Sequence, residues 1–118
     1  MQVKITPETA EQICLFDWIR TQPHIEPYAM HIANERRCSI QQGKILKRMG
    51  VKAGVADIFV AIPRGIYHGL WIELKAGKNK ATPLQKEFLA NMAKQGYLTA
   101  CVTGYENARE IIENYINQ

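Results

Sequence analysis

What this chain can fold into is constrained most by residues 55–75. Two short runs, residues 55–62 and Leu70–Lys75, are rich in Val and Ile and are separated by Pro63-Arg64-Gly65 and Gly69. Runs of this length and composition, bounded by turn formers, predict two strands joined as a hairpin. Side chains alternate across a strand, so Glu73 and Lys75 face one way while Leu70, Ile72 and Leu74 face the core. The hairpin also brings Asp57, at the start of the first run, beside Glu73.

The flanking segments alternate helix and strand. Thr6 can cap a helix whose first position is Pro7, where no N–H is needed; it is expected to run to about Thr21, ahead of Pro23 and Pro27. Its apolar residues Ile13, Cys14, Leu15, Phe16, Trp18 and Ile19 cover more than one face, which predicts burial on two sides, one of them against a partner subunit. Residues 28–33 read as a strand. Ser39 with Gln42 is a capping box for a second helix ending near Gly50. Thr82-Pro83-Leu84-Gln85 starts a third, with Leu84, Phe88, Leu89 and Met92 as its apolar stripe and Gly96 as its stop. Residues 97–103 read as a strand. Asn107 with Glu110 is expected to cap a last helix carrying Ala108, Ile111, Ile112, Tyr115 and Ile116.

The chain has 118 residues, 47% hydrophobic and 22% charged, the balance of one folded α/β domain over residues 1–118 rather than of a disordered segment. Its formal net charge of +4 suits an anionic partner such as nucleic acid. A domain this short buries a small share of its surface, which favours extra burial in an oligomer. Cys14, Cys38 and Cys101 form no CxxC pair, which argues against a disulfide framework or a cysteine zinc site. The opening MQVKITPETAEQ lacks a signal-peptide apolar run, and no stretch approaches a membrane span. The expected setting is reducing and cytoplasmic.

Asp57, Glu73 and Lys75 together suit phosphodiester cleavage. Two carboxylates supply hard oxygen ligands for Mg²⁺, for which Mn²⁺ can substitute, and the ion can polarise a phosphate and acidify a bound water. An ammonium beside them can orient the water or stabilise developing negative charge. Gly54 allows close backbone approach. By spacing alone, a turn aspartate and an exposed salt-bridging strand face are the more common reading of such short acidic and basic motifs.

The runs Gly54-Val55-Ala56-Asp57-Ile58-Phe59-Val60 and Trp71-Ile72-Glu73-Leu74-Lys75, followed by Gln85, resemble the PD-(D/E)xK nuclease superfamily. More narrowly they resemble the VRR-NUC family, the virus-type replication-repair nucleases, in their stand-alone phage and bacterial form. The similarity extends through His31-Ile32-Ala33-Asn34-Glu35, residues 46–54, residues 85–89 and Gly96-Tyr97. Ala56 and Ala33 depart from the pattern, each standing where relatives carry Pro, and neither position supplies a functional side chain.

The resemblance implies a restriction-endonuclease-like core, a mixed central sheet flanked by helices. It implies a metal-dependent DNA endonuclease in which Asp57, Glu73 and the Leu74 carbonyl hold the ion, Lys75 is the catalytic lysine and Gln85 belongs to the site. Glu8 matches a helix acid that approaches the metal, although a first-turn carboxylate also suits the helix dipole. Glu11 is its rival on that helix. Gln85 also fits a capping box with Thr82, and Glu35 also fits a turn cap. Small stand-alone members are similar to homodimers that cut branched DNA such as four-way (Holliday) junctions, whereas fused members act on flaps. A linear-duplex nuclease or a non-catalytic DNA-binding module on the same fold are the alternatives.

Lys44, Lys47 and Arg48 form one helical stripe, Arg36, Arg37 and Lys52 lie close in sequence, and Lys78 and Lys80 follow the Lys75 strand. These are candidate phosphate contacts that hold DNA without reading its sequence. His24, His31 and His68 lack metal-ligand spacing, and His31 reads as structural. Trp71 shares the Glu73 face, where it either walls the site or packs under the first helix.

Overall fold

The computed structural model describes residues 4–33 and 39–118. In chain order these form α1 (Pro7–Ile19), a single 3₁₀ turn (Glu26–Tyr28), β1 (Ala29–His31), α2 (Ile40–Arg48), β2 (Ile58–Val60), β3 (Leu70–Lys75), α3 (Pro83–Lys94), β4 (Leu98–Thr103) and α4 (Tyr105–Ile116). The order of helices and strands is the expected one, with the 3₁₀ turn added.

The strands lie in the order β1-β2-β3-β4. The hairpin forms as anticipated, with Ile58, Phe59 and Val60 opposite Ile72, Trp71 and Leu70. β1 pairs antiparallel with β2, and β4 pairs parallel with β3 after the α3 crossover, so the sheet is mixed. Two strands are shorter than expected. β1 begins only after the 3₁₀ turn, and β2 ends at Val60, short of the Pro63-Arg64-Gly65 turn.

One face of the sheet makes the core. Ile58, Val60, Leu70, Ile72 and Leu74 pack with Leu15 and Ile19 of α1 and with Ala108, Ile112 and Tyr115 of α4. Each fully buried side chain of this size contributes on the order of 1.5–3 kcal/mol. The Tyr115 hydroxyl donates to the Ile62 carbonyl at 2.6 Å, which satisfies the polar end of a buried ring. α3 covers the opposite face, where Phe88 meets the Trp71 ring edge-on at 5.0 Å and Phe59 stacks on Trp71 at 4.4 Å. Trp71 therefore packs under α3 and not under α1.

Local differences have physical causes. α1 ends at Ile19. Phe16 and Trp18 are partly buried against the core, so the helix hides more of its apolar surface within the chain than expected. On α3, Leu84 is exposed and Gln85 is buried, because the stripe facing the sheet runs through 85, 88, 89 and 92. α4 starts two residues before Asn107, whose amide donates instead to the Thr103 carbonyl at 2.7 Å. The cap comes from far away in sequence: Glu11 Oε2 accepts from the Tyr105 N–H at 2.6 Å. No helix of the described residues is long and apolar enough to cross a membrane.

Candidate active site

The β2–β3 ladder ends at Ile58 and Ile72, and there Asp57 replaces a backbone partner with its side chain. Asp57 Oδ2 accepts from the Leu74 N–H at 3.0 Å. The Asp57 carbonyl accepts from the Ile32 N–H at 2.7 Å and lies 2.9 Å from His31 Nδ1. Asp57 is thereby held from both neighbouring strands, and His31 is a satisfied structural histidine.

Glu73 sits beside Asp57 and is only 2% exposed, while Lys75, two residues on, is 7% exposed. The exposed salt-bridging strand face considered from spacing is not what forms. The Lys75 ammonium reaches Glu73 Oε2 at 3.3 Å. Glu73 Oε1 is buried with no donor. Burial above all, and then the neighbouring Asp57 carboxylate, push the Glu73 carboxyl from its ordinary 4.5 up to about 8, against the lowering pull of Lys75. Two carboxylates this close to each other retain a proton or take up a cation. The donor set of two carboxylates and a backbone carbonyl suits Mg²⁺, which commonly takes only one or two protein carboxylates. Among the described residues no group of three or more His, Cys, Asp or Glu side chains comes together.

A cleft of about 350 Å³ is lined by Asp57 and Leu74 together with Glu8, Gln12 and Ile13 of α1; Glu73 and Lys75 lie behind Asp57 and do not line it. Glu8 shares the cleft but not the carboxylate cluster, and the Asn79 amide donates to its Oε1 at 3.4 Å. Glu11 faces elsewhere as the cap of α4, so it is engaged away from the cleft. Glu35, Arg36 and Arg37 lie outside the described residues. Gln85 is buried and makes the capping box, its Oε1 accepting from the Thr82 N–H at 2.9 Å. α3 runs back between two parallel strands, so its first turn lies toward the Lys75 end of β3. Gln85, one turn before Phe88, falls on the Glu73 and Lys75 side.

Gly54, φ +84°, has a role other than approach to a ligand. A Cβ there would stand 2.7 Å from the backbone carbon and oxygen of Leu84, so the glycine lets the loop before Asp57 press on the start of α3. Lys44, Lys47, Arg48, Lys52, Lys78 and Lys80 are all exposed. Lys78 and Lys80 flank Asn79, at the rim of the cleft beside Glu8.

Three features escape the motif. Gln12 lines the cleft one turn after Glu8, a placement that i, i+4 spacing on α1 could have signalled. The bond between Asn79 and Glu8 and the contact between Asp57 and His31 join segments far apart in sequence and carry no local signal.

Comparison with known proteins bears on the family and the fold. The model of the VRR-NUC domain matches residues 7–106. A solved structure described as a VRR_NUC domain protein is 37% identical, covers 98% of this chain and 92% of its own, and superposes with a TM-score of 0.81. No curated protein matches.

Proposed function

We propose that this chain, which belongs to the VRR-NUC nuclease family, is a divalent-metal-dependent endonuclease that hydrolyses phosphodiester bonds of branched DNA. The observation that carries the chemistry is the convergence of Asp57 and Glu73 with Lys75 in ion-pair contact and Glu73 Oε1 left without a donor. Asp57, Glu73 and the Leu74 carbonyl would hold Mg²⁺ or Mn²⁺. The bound ion supplies charge neutralisation at the phosphate and a more acidic water. Asp57, fixed through the Leu74 N–H, orients one carboxylate toward the cleft. Lys75 keeps Glu73 Oε2 turned inward and provides a positive charge for the phosphate as negative charge builds on it. Gln85 steadies the Lys75 end of β3 from the first turn of α3. Glu8, released from Asn79, is the reserve carboxylate at the cleft rim.

Lys44, Lys47, Arg48, Lys52, Lys78 and Lys80 provide the phosphate footprint, which gives strong salt dependence and little sequence preference. A homodimer would offer two sites to a two-fold symmetric junction. The surface best suited to pairing is α2 rather than α1, because no residue of α2 is buried and Ile45 and Met49, one turn apart, are 56% and 74% exposed.

Cleavage of linear duplex, flap and four-way junction DNA, each with Mg²⁺, with Mn²⁺ and with excess EDTA, tests this reading. Preferential junction cutting that stops in EDTA is expected. Undiminished cutting in EDTA would overturn the metal dependence, and equal rates on all three substrates would overturn the branched-DNA preference.

A further inference from the structure

Resting on the nuclease reading above, we infer that Gln12 contacts the substrate directly, its side-chain amide donating to a non-bridging oxygen of the phosphodiester held in the cleft. Gln12 Nε2 is buried and has no hydrogen-bond partner. A donor in that state has lost its bond to water and gained nothing in return, so native proteins keep few of them and usually for a reason.

The surroundings narrow the reason. The other polar side chains lining the cleft are already engaged: Thr6 with Thr9, Glu8 with Asn79, His31 with the Asp57 carbonyl and Asp57 with the Leu74 N–H. Among the described residues that line the cleft with Asp57 and Leu74, Gln12 is the one with a buried donor left without a partner. An amide N–H needs an acceptor, and a DNA strand presents an anionic one at every phosphate. The phosphate being cleaved must sit beside Asp57, which lines the same cleft as Gln12.

The helix that carries the donor is held firmly. Leu15 and Ile19 anchor α1 in the core, and Glu11, next to Gln12, ties the helix to the start of α4. Gln12 Nε2 itself is turned away from the open cleft, so the side chain must rotate about its own bonds for the amide to reach the phosphate, on a backbone that stays in place.

Two variants test the inference. Gln12→Leu keeps the bulk and removes the donor; Gln12→Glu keeps the shape and sets a carboxylate against the phosphate. Single-turnover cleavage of a duplex or junction with a defined cut, metal affinity and melting temperature are measured for each. The expected result for Gln12→Leu is a fall in kcat on the order of 100-fold, with KM and metal affinity little changed and melting temperature no lower than wild type. Gln12→Glu should be slower still. Replacing the scissile phosphate by each phosphorothioate diastereomer adds a readout that a structural role would not move. The wild type should discriminate between the two, and Gln12→Leu should discriminate less.

Cleavage by both variants within twofold of wild type overturns the inference. So does wild-type activity in Gln12→Glu, which would show that the amide presents its oxygen. If Gln12→Leu fails to fold, Gln12→Glu carries the test. If the wild type itself cuts no DNA in Mg²⁺ or Mn²⁺, the nuclease reading has failed. The contact is then read from duplex affinity in EDTA, where equal binding by wild type and Gln12→Leu overturns it separately.

Discussion

Lys75 does two things at once, and they can be separated. It pairs with a buried carboxylate and stands where phosphate charge would develop. Lys75→Ala is expected to lower turnover by a factor on the order of 100 to 10,000, while DNA affinity stays within a few-fold, because one cation leaves a larger exposed set. Cleavage and binding measured on the same variant check this, and turnover within a few-fold of wild type would remove Lys75 from the site. Glu73 gives a pH prediction. Its carboxyl, raised to about 8, keeps its proton in the metal-free fold but ionises near 4.5 when the chain unfolds. Between those values the folded state binds more protons than the unfolded one, so stability is highest below pH 4.5 as far as this group is concerned and declines as pH rises toward 8. Thermal melts of the metal-free protein across that window should show the decline, and Glu73→Gln should flatten it. Metal competes with the same proton, so Mn²⁺ affinity should rise with pH up to about 8 and then level off.

At the scale of elements, the site depends on how helices are tied to the sheet. Glu11 caps α4 from α1, and loss of a cap costs about 0.5–2 kcal/mol. Glu11→Ala should therefore lower stability in chemical denaturation and leave metal affinity unchanged. Glu8→Ala should do the reverse, with weaker metal binding and near-normal stability; the opposite pattern would exchange the two roles. Gly54 is the second tie. Its positive φ disfavours any residue with a Cβ by roughly 1–2 kcal/mol, and the added atom would run into the backbone of Leu84. Gly54→Ala should lower the melting temperature and reduce cleavage by moving Asp57 and α3 apart. A variant with wild-type stability would show that the loop relaxes freely.

For the whole molecule, the surfaces are segregated. α2 presents Lys44, Lys47 and Arg48 on one side and Ile45 and Met49 on another, all of them exposed. An apolar stripe of this kind on a small domain marks an interface, and the occupant proposed above is a second copy of the chain. Light scattering at micromolar concentration should give twice the 13.4 kDa of one chain. Ile45→Glu combined with Met49→Glu should reduce the mass to that of one chain while leaving the fold intact. A wild-type mass of one chain would remove the dimer and, with it, the two-site account of paired cuts.

The sequence by itself determined the order of helices and strands, the hairpin, the buried pattern of β3 and the convergence of Asp57 with Glu73. These follow from alternation, turn residues and capping, which act over a few residues and are written where they operate. It also placed Gln85 in a capping box with Thr82, which the structure shows. Tertiary structure alone decided that the Glu73 and Lys75 face is covered by α3, so that a pair that spacing alone would leave in solvent is buried and the carboxyl titrates near 8. It alone decided which α1 carboxylate reaches the cleft, because Glu11 is claimed by the Tyr105 N–H and Glu8 by Asn79. The start of α4 was misplaced for the same reason: its cap lies in α1, and Asn107 had only local spacing to recommend it. Burial, long-range capping and pKa are properties of what packs against a residue, and a single chain position does not carry them until the helices have docked on the sheet.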